Sequence, residues 1–383
     1  MAIPRTRPGS HPAILSYGFR PFFLAGALYG ALAIVFWLPL LYGLVETESL
    51  LAPVDWHAHE MLFGYVPAIV TGFLLTAIPN WTGRLPVQGL PLLLLLVLWL
   101  AGRFAVFSSS NIGWVATTII DNAFLAAVAT SAAVEISVGR NWRNLKILLP
   151  LFVLLLANVL FDVEVRQGGS PSLSPRLAIA AAVMLIVVIG GRIIPSFTRN
   201  WLARLNPGRL PRPFGRLDVA LIALTALALA SWVFWPDWRG TGAASLAAAL
   251  GNAVRLAGWA GDRAARDPLV FVLHLAFAFV PLGFMLIGLA ALTPEFVPAV
   301  AGVHAFGVGA IGSMTLAVMA RATLGHTGHP LRAGPATCLV FAAVMLSAVL
   351  RILAAFIPDS SPLLHGSALL WRHDTKVLNL SDI

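Results

Sequence analysis

The run WHAHEMLFGYVPAIVTGFLLTAI, Trp56 to Ile78, decides the fold. It holds 23 residues and carries no charge after Glu60. About 20 consecutive apolar residues suffice for a helix to cross the ~30 Å hydrocarbon core of a bilayer. The run is continuous rather than alternating, and in lipid each segment must satisfy its own backbone. Helices are therefore expected, not a barrel. Two imidazoles and a carboxylate, His57, His59 and Glu60, open this apolar run and need a reason.

The rest of the chain repeats the pattern. Of 383 residues, 59% are hydrophobic and 11% charged, with mean hydropathy +0.86. Soluble domains carry about 25% charged residues. The expected fold is an all-α polytopic membrane protein, a single integral membrane domain over 1–383 with about twelve transmembrane helices. The predicted spans are Phe22–Leu44, Trp56–Ile78, Leu90–Phe107, Ile112–Val138, Leu145–Phe161, Leu177–Phe197, Leu217–Trp235, Gly242–Trp259, Leu269–Leu292, Phe296–Ala320, Pro335–Ile357 and Pro362–Trp371. The eighth is weakened by Ala, Gly and Arg255. The twelfth, 362–371, is too short to cross, and a polar tail follows at 372–383. The one cysteine, Cys338, excludes an internal disulfide. No P-loop, zinc-spaced Cys pair or nucleophile elbow is present.

The net charge of +9 has a membrane explanation. With the N-terminus in the cytoplasm, the cytoplasmic side collects 19 Lys and Arg, and the other side 4, namely Arg103, Arg166, Arg176 and Arg239. That is the positive-inside pattern, and it removes the case for a nucleic-acid partner. Arg192 and Arg351 fall inside spans.

Spans two, six and ten leave the membrane through similar segments: AIPNWTGRLPVQG, IIPSFTRNWLARL and LGHTGHPLRAG. The first two share Ile-Pro-x-aromatic-Thr, at Ile78–Thr82 and Ile194–Thr198. The first and third share Thr-Gly followed by Gly, at Thr82, Gly83 and Gly89 and at Thr327, Gly328 and Gly334. Recurrence at every fourth span suggests three arcs of four helices.

Histidines are the informative side chains, because imidazole in lipid is costly unless paired or ligated. His57 and His59 stand about 200° apart on a helix and cannot both bind one metal from a regular turn. One can ligate while the other hydrogen-bonds, or each can serve a different partner. His274 and His304 lie in apolar helix, with Gly302, Gly307, Gly309 and Gly312 near His304. Such glycines suit either helix packing or the approach of a flat ring. Depth sorts the set into an outer layer of His57, His59 and His304 and an inner layer of His274 and His326. Pairing His326 with His274 requires span ten to end early, at Gly325. Arg192 is the cation within a span near the inner layer. Asp121, near mid-span, needs a partner: water or an arginine.

Several of these runs, SYGFRPFFL, WHAHEMLFGY, GFLLTAIPNWTGRLP, GGRIIPSFTRNWL and HAFGVGAIGSMTLAVMARATLGHTG, together resemble the NnrS family from about Ser16 to Trp371. The resemblance implies a twelve-span bacterial inner-membrane protein containing haem and copper, linked to nitric oxide metabolism and tolerance of nitrosative stress. It marks His57, His59, His304 and His326 as functional, with Glu60 and Arg192 behind them. His57, His59 and His304 are the expected metal ligands, His274, His326 and Arg192 further cofactor contacts, and Glu60 and Asp121 supporting groups. The expected partners are the lipid bilayer and nitric oxide or another small ligand at haem. The chain departs from the family at its end, where the twelfth helix is not completed. Two other readings stay open: a proton-coupled transporter, and a haem sensor or assembly partner without turnover.

Overall fold

The computed structural model describes residues 11–204, 208–357 and 361–372, the side chains of Arg143 and Arg372 excepted. Arg5, Arg7, His373, Lys376 and the tail expected beyond 372 lie outside the described residues. In chain order the main helices are α1 (Phe19–Leu41), α2 (Pro53–Thr82), α3 (Leu90–Phe107), α4 (Trp114–Val138), α5 (Asn144–Arg166) and α6 (Leu173–Leu202). Then come α7 (Arg216–Phe234), α8 (Arg239–Ala257), α9 (Pro268–Leu292), α10 (Ala299–Thr327), α11 (Pro335–Ala354) and α12 (Ser361–Arg372). All but α8 and α12 are long and apolar enough to cross a membrane, which makes 10 among the described residues. The chain is an all-α, multi-pass membrane protein.

The two exceptions are the two segments whose sequence was weakest. Helix α8 buries Thr241, Ser245, Asn252 and Arg255 and packs between α7 and α9. It meets α9 through paired glycines: a Cβ on Gly242 would lie 3.1 Å from the Gly288 carbonyl, and one on Gly288 3.0 Å from the Gly242 carbonyl. Small residues let two backbones approach, which is how a polar helix holds its place without presenting much apolar surface. Helix α12, of 12 residues, rises only about 18 Å. It is fastened to α11 by the Ser347 hydroxyl, which donates to the Ser367 carbonyl at 2.8 Å.

Among the described residues, those up to Ala178 and those from Ile179 onward form two compact units. In the first, α1 lies on α2, with Gly26 against Ile69 and Gly72 against Phe23. Leu74, Ile78, Ala132, Ile136, Ile147 and Leu151 close a core between α2, α4 and α5. In the second, α9 is central. Its Phe284 ring packs edge-on to Phe306 of α10 at 5.0 Å, and Phe306 also meets Trp232 of α7 at 5.9 Å.

Three helices contain a π turn, at Glu60–Tyr65, Ile186–Gly190 and Ala305–Gly312, and among the described residues these are the only ones. They fall in α2, α6 and α10, the spans whose exits resemble one another. The three shared threonines also behave alike. Each hydroxyl donates to the carbonyl four residues back: Thr82 to Ile78 at 2.9 Å, Thr198 to Ile194 at 2.8 Å, Thr327 to Thr323 at 2.7 Å.

Two cations counted toward the two sides, each near the end of an expected span, are buried in helices. Arg103 lies in α3 and is 7% exposed. Arg255 lies in α8 and is fully buried. Both face buried carboxylates, so they are pairing groups and not membrane anchors. Removing one from each side leaves 18 against 3, and the asymmetry survives.

Candidate functional site

In the first unit the opening motif builds a buried ionic cluster. Pro53 at the first helical position starts α2 early enough to carry His57 and His59 inside the helix. His59 and Glu60 are buried, 1% and 0% exposed. The His59 Nδ1 donates to Glu60 Oε1 at 3.0 Å, and its Nε2 lies 3.3 Å from Asp121 Oδ2. Arg103 bridges the same two carboxylates, reaching Glu60 Oε2 at 2.6 Å and also Asp121 Oδ1. Tyr29 donates to Glu60, and the Asn158 amide donates to Asp121 Oδ2 at 2.7 Å. Five helices, α1 to α5, thus each supply at least one group. With protons on both ring nitrogens the cluster holds two positive and two negative groups and is neutral, as charges removed from water must be.

Glycine and the π turn make the room. A Cβ on Gly64 would lie 2.7 Å from an Arg103 nitrogen and 2.9 Å from Glu60 Oε2, so only glycine admits this contact. A widened turn also takes a carbonyl out of the α ladder. The Gly64 carbonyl accepts the Trp99 indole N–H at 2.9 Å. The partner sought for Asp121 is thus an arginine, Arg103. His57, two residues before His59, turns away from the cluster, and its ring stacks on Trp37 at 4.2 Å.

In the second unit the motif GGRIIPSFT ties three helices together. Gly191 leaves space for the Arg255 guanidinium, which a Cβ there would strike. Arg255 donates to the Val187 carbonyl in the π turn of α6 at 3.4 Å and to Asp218 at 3.2 Å. Phe197 lies beneath Arg321 of α10, 4.1 Å from the guanidinium carbon. The Thr198 hydroxyl, already donating to Ile194, stands 2.8 Å from His274 Nε2. Its one proton is committed, so it accepts, and Nε2 carries the hydrogen. The lone pair is then on Nδ1, which is buried and has no hydrogen-bond partner. Gly261 packs on the face of that ring, where a Cβ would fall 2.5 Å from Nδ1, 2.8 Å from Cγ and 3.0 Å from Cε1.

The Gly261 loop is itself secured. Arg209 hydrogen-bonds Asp262 and holds its carboxyl below the usual range. Arg212 donates its backbone N–H to the Gly258 carbonyl at 2.9 Å.

The remaining expected residues are placed as follows. His304 is half-buried and directly precedes the π turn of α10. His326 is exposed, and α10 continues past Gly325 to Thr327. The early end needed to bring His326 level with His274 does not occur, because the helix is capped at Gly328, in the left-handed conformation. Arg192 is exposed and lines a cavity with Arg199 and Arg212. Among the described residues no group of three or more His, Cys, Asp and Glu is arranged to hold a metal ion.

Sequence reasoning missed Tyr29, Arg103 and Asn158 in the first cluster, and Thr198 and Gly261 beside His274. Arg103 was findable. Glu60 and Asp121 are buried span carboxylates, and a cation embedded in the apolar run of α3 is their natural counter-charge.

An all-helical protein with multiple membrane crossings, buried histidines and ion-paired carboxylates is a polytopic membrane protein with a polar interior, and the next level of identity comes from sequence comparison. The family model NnrS, described as NnrS protein, matches residues 13–373, and the chain belongs to that family. Membership makes it a haem- and copper-associated membrane protein of the nitric oxide response. No curated protein matches it.

Proposed function

We propose that the chain handles nitric oxide, or protects against it, at a haem or copper centre in the bacterial inner membrane, with His274 as one ligand. The observation behind this is the state of His274: one ring nitrogen tied to Thr198, the other buried without a partner beside a glycine. An imidazole oriented by a hydrogen bond on one nitrogen and open on the other is the usual metal ligand. His274 would hold haem or copper as a lone imidazole, since no group of three or more His, Cys, Asp and Glu stands together among the described residues. Haem or copper, when bound, supplies a redox metal that takes nitric oxide directly.

The protein's own groups then divide the work. Thr198 fixes the tautomer of His274. Arg103 and Asp121 hold Glu60 and His59 in place, so His59 is the hydrogen-bonding member of the His-x-His pair. His57 and His304 are the outer ligands in this reading, and His326 is a surface group. The chain crosses the membrane with its N-terminus inside, and α2, α6 and α10 mark three related arcs of four helices. A reporter fused after Arg212 reads cytoplasmic, and a periplasmic reading overturns that orientation.

The test of the site uses Gly261→Ala and Thr198→Val. The new methyl at Gly261 strikes the ring face of His274, displaces the imidazole and abolishes haem bound per purified protein. Thr198→Val loosens the ligand and weakens metal affinity by roughly 10–100-fold. Full haem with an unchanged Soret band in Gly261→Ala rules out His274 as a ligand. Consumption of nitric oxide with an electron donor separates turnover from sensing. The transporter reading is less supported, because Asp121 is ion-paired on both oxygens and not held open to water.

A further inference from the structure

We infer that the cavity lined by Arg192, Arg199 and Arg212 is a binding site for the phosphate of an anionic phospholipid. The cavity is about 270 Å³. Arg192 and Arg199 lie on one face of α6, two turns apart, with Pro195 and Ser196 between them. Arg212 comes from the segment 211–214, whose position is fixed by the Arg199 guanidinium donating to the Pro211 carbonyl at 2.6 Å. Trp259 completes the wall. The one carboxylate present, Asp218, is engaged by Arg255 at 3.2 Å, by the Gly215 N–H at 3.0 Å and by Arg212 at 4.0 Å. Three guanidinium groups and one committed carboxylate leave a surplus of positive charge.

Arg192 makes no hydrogen bond or ion pair among the described residues, although it lies in a span and is exposed. A guanidinium at such a place needs water or an anion. Its depth selects the anion. Helix α6 has 30 residues and rises about 45 Å, some 15 Å more than the ~30 Å core. With its first residue at one hydrocarbon boundary, Arg192 stands near the other, and Arg199 lies beyond it among the headgroups. Guanidinium forks match phosphate oxygens, and basic pockets between helices take anionic headgroups. This takes Arg192 away from the cofactor and gives it to lipid.

The test compares the full chain with Arg192→Gln. Since Arg192 holds nothing in the fold, the variant folds. Both are placed in nanodiscs of phosphatidylcholine, with and without phosphatidylglycerol, and the thermal midpoint is read. The parent gains stability from phosphatidylglycerol, as a ligand of the folded state must confer, and Arg192→Gln loses that gain with its haem content intact. An undiminished gain in the variant overturns the site. So does an equal gain from inorganic phosphate in phosphatidylcholine discs, which would make it a site for free anions. Loss of haem in the variant with its lipid response intact returns Arg192 to the cofactor. The Gly261→Ala result bears on His274 alone, so the two proposals fail separately.

Discussion

Helices α2 and α10 share a frame and differ in what the frame holds. His59 precedes Thr82, and His304 precedes Thr327, by the same 23 positions. A π turn starts at the next residue in each case, Glu60 or Ala305. Each helix ends in a threonine that bonds back one turn, then a left-handed glycine, Gly83 or Gly328. In α2 the histidine is locked between two carboxylates that share an arginine. In α10 it is followed by Ala305, Phe306 and Gly307, with no acidic residue in its helix. The backbone device is the same while the chemistry differs. A π turn shifts the helix register and re-aims the side chain before it. Whether that side chain is locked in an ionic cluster, as His59 is, depends on the charges supplied by neighbouring helices.

Helix α6 extends the comparison. It has the π turn and the threonine but no histidine on the helix itself. Instead the threonine holds a histidine from α9. In α2 and α6 the π turn also offers a carbonyl to a neighbour, Gly64 to Trp99 and Val187 to Arg255. Donors differ as widely as an indole and a guanidinium, so the carbonyl, not the partner, is the common element.

The largest expected effect breaks the lock in α2. Arg103→Ala leaves Glu60 and Asp121 without their shared cation, and stripping one member from a buried ionic group costs about 3–5 kcal/mol. Thermal unfolding in detergent should show the loss, along with poor recovery from membranes. A midpoint unchanged from the parent would mean the cluster is not what holds α2, α3 and α4 together.

Next comes the pair His59→Gln and His304→Gln, made separately. His59→Gln removes a donor from two buried carboxylates, at about 1–3 kcal/mol. The folded fraction keeps its metal. His304→Gln costs less stability but lowers metal per protein, measured by elemental analysis. The reverse outcome, with His59→Gln losing metal and His304→Gln losing stability, would invert the assignment of anchor and ligand.

Much of this was legible in the sequence, for a physical reason. Lipid forces long apolar runs, so the helices of Leu90–Phe107 or Pro335–Ala354 could be bounded within a few residues. Proline and glycine marked their ends. The likeness of the first and third exits was visible because both end in a left-handed glycine cap, and caps restrict residue types. What could not be read was pairing across helices. Arg103 lay inside the expected span Leu90–Phe107, and counting it with the outer side ignored what lies opposite. Gly64, Gly191 and Gly261 are understood only once the group each admits is known. The π turns left no composition signal, since the same apolar residues serve α and π alike.

The smallest expected effect tests the shared frame alone. Gly83 has φ 71° and Gly328 has φ 79°, and a Cβ added at either meets nothing within 4 Å. Alanine at these sites therefore clashes with no neighbour. It pays only the left-handed backbone cost, roughly 1–2 kcal/mol. Asparagine, which tolerates this conformation better, should cost less. If α2 and α10 carry the same terminal device, Gly83→Ala and Gly328→Ala shift the thermal midpoint by similar amounts, and the double variant sums them, because sites that share no partner add. Neither changes metal content. Equal, additive shifts would support a common cap under two different sites. A large loss at one glycine and none at the other would mean that the two ends are held by different forces, and that the matched 23-residue spacing is coincidence.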